Sequence, residues 1–190
     1  MSLFSKGPNK ALTPYEALES KYSSARGNLL FLLIASVVNI FLLLINADIY
    51  LLFAASVPYY IVMFGMAFCG LLEVDGETAA EGAVYLNKNF LYVAVVIAII
   101  VLTAYLLCWI FSKAHKVGWL IAALIMFSMD TLVTVVFIFI DPTNFLDVII
   151  HGFVIFSLVS GISAHYKLKK LPPEEPTPEV TETNTDDTQQ

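Results

Sequence analysis

Five apolar segments, each near the length that crosses a bilayer, set most of what this chain can fold into. They run from Asn28 to Ile45, Ile49 to Leu72, Phe90 to Phe111, Val117 to Ile140 and Val148 to Tyr166. About 20 helical residues cross the hydrocarbon core, and a lipid-exposed backbone there must satisfy its own hydrogen bonds, so such segments fold as helices. The expected fold class is all-α: a polytopic transmembrane helical bundle of about five membrane-spanning helices. Composition agrees, since 58% of the residues are hydrophobic, against roughly 45–50% in soluble domains. The lipid bilayer is thus the first partner that the sequence implies.

The polar residues divide the chain into three parts. Residues 1–26 form a polar N-terminal segment, 27–167 the bundle, and 168–190 an acidic tail rich in Pro, Thr and Glu. Thr13, Pro14 and Glu16 fit a helix start, with a Thr N-cap, proline at the first helical position and an acid three residues after the cap. Tyr15, Leu18, Tyr22 and Ala25 then recur at helical spacing, which suits either an interfacial amphipathic helix or an extension of the first span. A 26-residue, largely polar segment before a long apolar core does not resemble a cleaved signal peptide. The tail cannot bury enough apolar surface to order itself and is expected to be disordered.

The net charge of −6 belongs largely to that tail, whose residues 171–190 hold six acids and no Lys or Arg. No basic footprint for nucleic acid remains. Cys69 and Cys108 fall near the far ends of consecutive segments, at opposite faces, so a mutual disulfide is not expected.

Pro58 leaves the second segment open to two readings, because proline either kinks a helix or begins one, here after a capping Ser56. If the segment spans, five crossings put the termini on opposite sides. If it re-enters without crossing, both termini and the SKAHK loop, Ser112 to Lys116, share one face, which suits the positive-inside rule but requires protein around the broken backbone. Under either reading Lys113, Lys116, Lys167, Lys169 and Lys170 favour a cytoplasmic C-terminal tail.

Three stretches carry a resemblance: SVPYYIVMFGMAFCG from Ser56, YLLCWIFSKAHKVGWLIAALIMFSMDTL from Tyr105, and LVSGISAHYKLKKLPPE from Leu158. In these the chain resembles a group of small integral membrane proteins of Gram-positive, mostly anaerobic bacteria that has no assigned activity. The resemblance covers most of the chain after Arg26. It implies a bacterial plasma membrane location and offers no catalytic residues to carry over.

Asp130 is the residue that composition does not explain. At the centre of a span an aspartate costs about 2.5–3.5 kcal/mol, so it should face other helices or water. Counted from the span ends, Asn39, Ser157 and Ser160 lie at similar depth and complete a candidate intramembrane polar cluster with Asp130. One reading makes Asp130 a protonatable group that binds a cation or carries a proton. The other makes it interhelical glue, in which case asparagine should replace it with little loss of stability.

Asp147 and His151, four residues apart, form a weaker candidate for metal binding or pH sensing, or else a capping pair at a helix start. No metal site and no cofactor site is otherwise legible. Gly161 to His165, GISAH, lacks the second glycine of a serine-nucleophile motif, and residues two apart on a helix do not face each other. The reading favoured by sequence alone is a non-enzymatic accessory or assembly subunit that associates with partner membrane proteins or with copies of itself. The alternative is a small proton- or cation-coupled transporter or channel using Asp130 and Asn39, and the weakest is an intramembrane hydrolase.

Overall fold

The computed structural model describes residues 12–47, 49–74, 77–78, 85–139 and 145–171. These residues form an all-helical membrane fold of five α-helices, four of them long and apolar enough to cross a bilayer. The long helices are α1 (Pro14–Leu44), α3 (Asn89–Phe111), α4 (Val117–Ile138) and α5 (Phe145–Leu168), while α2 (Ser56–Phe68) has only 13 residues. At 1.5 Å per residue, α2 is roughly 20 Å long, too short to cross a core about 30 Å thick. Two short strands, β1 (Glu73–Val74) and β2 (Glu77–Thr78), pair as an antiparallel hairpin between α2 and α3.

The expected capping box opens α1, with the Glu16 amide donating to Thr13 Oγ1 at 3.2 Å and the Thr13 amide to Glu16 Oε2 at 2.8 Å. From this cap the helix runs unbroken for 31 residues, so the segment after Thr13 is an extension of the first span. Asn46, with φ of 51°, ends it in the left-handed region that asparagine tolerates.

Contacts at the two ends of the bundle fix its topology. Tyr22, near the start of α1, donates to the Ser112 carbonyl at the end of α3, and its ring lies 5.6 Å from that of His165 near the end of α5. At the other end Asn46 donates to the Leu71 carbonyl and accepts from the Glu73 amide, placing the ends of α1 and α2 beside the hairpin. The chain therefore leaves α1 at the hairpin end, turns back inside the bundle and returns along α2 to the same end. This is the re-entrant alternative, and it replaces the five-crossing topology. The physical reason lies in residues 49–55, which are non-helical, followed by a helix that starts at Ser56 with Pro58 in its first turn, where proline is tolerated.

Polarity runs inside out, as a lipid environment requires. Phe31, Phe41, Ile100, Ile125 and Phe156 are exposed on the outer faces, while Ser36, Asn39, Asp130, Thr134, Asp147 and His151 are buried. A close approach of α1 and α5 depends on Gly161, where an added methyl would overlap the Ala25 side chain. Cys69 and Cys108 are free and buried. Residues 1–11 and the expected disordered tail from 172 onward lie outside the described residues, as do Asp48, Asp75 and Asp141.

Candidate functional site at the broken helix

A non-helical backbone inside a membrane protein exposes amides and carbonyls that the helix would otherwise pair, each worth several kcal/mol if left unsatisfied in hydrocarbon. Side chains from two neighbouring helices meet this need. Asn39 on α1 answers both groups of Leu51, accepting from its amide and donating to its carbonyl, each at 2.8 Å. One turn earlier, Ser36 Oγ accepts from the Ala55 amide at 2.7 Å.

The start of α2 is met by Asp130 from α4. Ala55 stands at the N-cap and has no side chain to offer, so the carboxylate takes over: Oδ2 accepts from the Ser56 amide at 3.0 Å and Oδ1 from the Val57 amide at 2.7 Å. Pro58 has no amide to satisfy. Thus proline and one distant carboxylate dispose of the first three orphan positions of the helix. The helix dipole further favours the negative charge.

Beside this cap lies a second group of contacts that the backbone does not need. His151 Nε2 is 3.0 Å from Asp130 Oδ2 and 3.3 Å from Ser56 Oγ, and its Nδ1 is 2.8 Å from the Asp147 carbonyl. Ser56 Oγ donates to Asp147 Oδ2 at 3.1 Å, and Tyr50 Oη reaches the same oxygen at 3.5 Å. Ser56 and His151 are wholly inaccessible, Asp147 is 2% exposed and Asp130 3%. The ring of Phe127 stacks on the imidazole at 4.8 Å and fixes its plane.

Hydrogen-bond chemistry locates the protons. A carbonyl only accepts, so Nδ1 carries hydrogen. Because the single hydroxyl hydrogen of Ser56 goes to Asp147, the short contact between Nε2 and Asp130 Oδ2 needs one shared proton, donated by the imidazolium or by the carboxyl, and is a place where a proton can change owner. Among the described residues Asp147 Oδ1 has no hydrogen-bond partner, although it lies 3.5 Å from Nδ1. From Tyr50 a polar cavity of about 190 Å³, lined also by Asn46, Tyr59 and Glu73, opens toward the hairpin end.

The expected cluster is thus redistributed. Asp130 meets His151 and Asp147, and Asn39 serves the same broken backbone without an observed bond to Asp130. Ser157 instead accepts from Asn28 at 2.6 Å, and Ser160 lines a groove beside Lys21. Because α5 starts at the hairpin end, Ser157 lies six residues, roughly 9 Å, beyond His151 toward the opposite end. Ser56 and Tyr50 had no place in the cluster inferred from sequence; Ser56 was expected only as the helix cap, but Ala55 holds that position and the Ser56 hydroxyl turns to Asp147 instead.

Ser56, His151 and Asp147 resemble the parts of a serine nucleophile site, but the amides of Ser56 and Val57, where an oxyanion would need donors, already hold a carboxylate. Ser163 of the GISAH stretch is exposed, whereas His165 is buried against Tyr22 and His115. Among the described residues no group of three or more His, Cys, Asp or Glu side chains has an arrangement that could hold a metal ion. No family model, curated protein or solved structure matches this chain.

Proposed function

We propose that the protein is a small proton-coupled transporter or channel of a bacterial plasma membrane, with the exchangeable proton held between His151 and Asp130. The observation that carries this reading is the 3.0 Å contact of two fully buried ionisable groups at the start of a re-entrant helix. Asp130 alone satisfies both amides, so satisfaction of the backbone leaves His151 and Asp147 unaccounted for. Intramembrane ionisable residues of this kind mark proton and ion paths, and broken helices at mid-membrane are where transporters build such sites.

The same carboxylate couples protonation to structure. Hydrogen bonds to a charged group contribute about 1.5–3 kcal/mol, and neutral ones about 0.5–1.5. A proton passing from His151 to Asp130 weakens the hold on the Ser56 and Val57 amides and loosens the re-entrant segment. Tyr50 and Asp147 link this centre to the polar cavity at the hairpin end. The test is proton uptake into proteoliposomes under an imposed potential, read with an internal pH dye. Wild type should take up protons, and His151→Gln, folded by thermal melt, should lose about tenfold or more of the rate, equivalent to roughly 1.4 kcal/mol. No uptake by wild type, or an unchanged rate in the variant, would sink the proposal.

Orientation follows from charge. Lys21, Arg26, Lys113, Lys116, Lys167, Lys169 and Lys170 gather at the end where α1 begins, and among the described residues only Lys88 stands at the hairpin end. The positive-inside rule makes the basic end cytoplasmic and turns the Tyr50 cavity outward. A reporter fused after Gln190 should be active only in its cytoplasmic form; activity of a periplasmic-type reporter there would reverse the assignment.

A second reading, the non-enzymatic accessory or assembly subunit, is favoured by one observation: both Asp130 oxygens are already engaged by backbone amides. In that case the cluster is fixed glue. The His151→Gln protein would then behave as wild type in the uptake assay, and co-purification from native membranes would recover a stable partner.

A further inference from the structure

On the outer surface of α1 and α5, at the basic end, two adjoining grooves of about 220 and 160 Å³ share Lys21, Phe156 and Ser160. Their lining changes character with depth. Lys21 and Lys167 stand at the mouth, Ser160 and Ser163 come next, and the inner part is formed by Phe153 and Phe156 beside Asn28 and Ser157, whose polar heads satisfy each other at 2.6 Å. On α5 the step from Lys167 to Phe156 is eleven residues, roughly 16 Å along the helix axis.

We infer that this groove is a binding site for an anionic phospholipid: the two ammonium groups take the phosphate, the serine hydroxyls face the glycerol and ester oxygens, and the phenylalanines receive an acyl chain. A cation at headgroup depth, hydroxyls below it and aromatic carbon below those repeat the order of groups in the lipid itself. Basic pockets between membrane helices on the cytoplasmic side hold anionic headgroups for the same reason. A partner helix fits less well, because it would bury two lysines that only an acid on that helix could neutralise. The site is distinct from the proton centre and does not depend on its role.

The experiment measures lipid binding to detergent-purified full-length protein by native mass spectrometry, with thermal melts alongside. Dioleoylphosphatidylglycerol should bind and raise the melting temperature more than dioleoylphosphatidylcholine. Free glycerol 3-phosphate at the same concentration should leave it unchanged, which separates a lipid from a soluble phosphate. The double variant Lys21→Gln with Lys167→Gln should weaken phosphatidylglycerol binding about tenfold to thirtyfold, the effect of two lysines at a lipid surface. Lys169→Gln with Lys170→Gln, at the same end but outside the groove lining, should keep wild-type binding. Ser160→Phe, which fills the groove and leaves both lysines, should weaken it as well. Equal binding of the two lipids, an equal loss in the Lys169 and Lys170 variant, or unchanged binding in Ser160→Phe would each overturn the assignment.

Discussion

Asp130→Leu should lower the stability of the bundle by about 2–6 kcal/mol, since it leaves the Ser56 and Val57 amides buried without acceptors at about 1–3 kcal/mol each. His151 also loses the shorter of the two contacts on Nε2. Asparagine is not a neutral substitute. Both oxygens of Asp130 accept backbone hydrogens, Oδ1 from Val57 and Oδ2 from Ser56, so the amide group of asparagine would set a donor against a donor at one of the two positions. Asp130→Asn should therefore cost about 1–3 kcal/mol, where sequence reasoning expected almost none. Unfolding in mixed micelles, followed by tryptophan fluorescence, measures both. A leucine variant as stable as wild type would mean that water or another group takes over the cap.

Asn39→Leu should have the next largest effect, about 2–5 kcal/mol, because one side chain answers both the amide and the carbonyl of Leu51. Ser36→Ala removes a single acceptor, that of the Ala55 amide, and should cost about 1–3 kcal/mol. The two act on the same short stretch, so once either has released it, the other has less to hold. Their double variant should fall short of the sum by about 0.5–3 kcal/mol, the range for residues that share a partner. Full additivity would show that residues 51 and 55 are held independently.

How much sequence could reveal depends on how local each signal is. Thr13, Pro14 and Glu16 act within one turn, and the apolar runs act within single helices, so the start of α1 and the all-helical fold were legible. Pro58 is equally local, but its fixed φ and missing amide fit a kinked span and a fresh helix start alike. The choice was made by Ser36, Asn39 and Asp130, whose bonds to the broken segment span 12 to 74 residues of sequence. Depth counted from segment ends correctly suggested that Asp130 would need partners, yet it named Ser157 and Ser160. The fourth helix ends at Ile138 and the fifth starts at Phe145, two and three residues before the bounds Ile140 and Val148 from which depth was counted, so Asp147 and His151, not Ser157, sit near the depth of the helix break.

The Asp130 cap also sets an order of events during synthesis. Ser56 precedes Asp130 by 74 residues and Asp147 by 91. At roughly 5–20 residues per second, the ribosome exposes the start of α2 some 4–15 s before the carboxylate that will hold it. Residues 49–55 cannot be settled in hydrocarbon during that interval, since two of their amides would gain Asn39 and Ser36 while those of Ser56 and Val57 waited. The re-entrant piece therefore remains at the membrane surface, or inside the insertion machinery, and enters the bundle only after α4 and α5 have arrived.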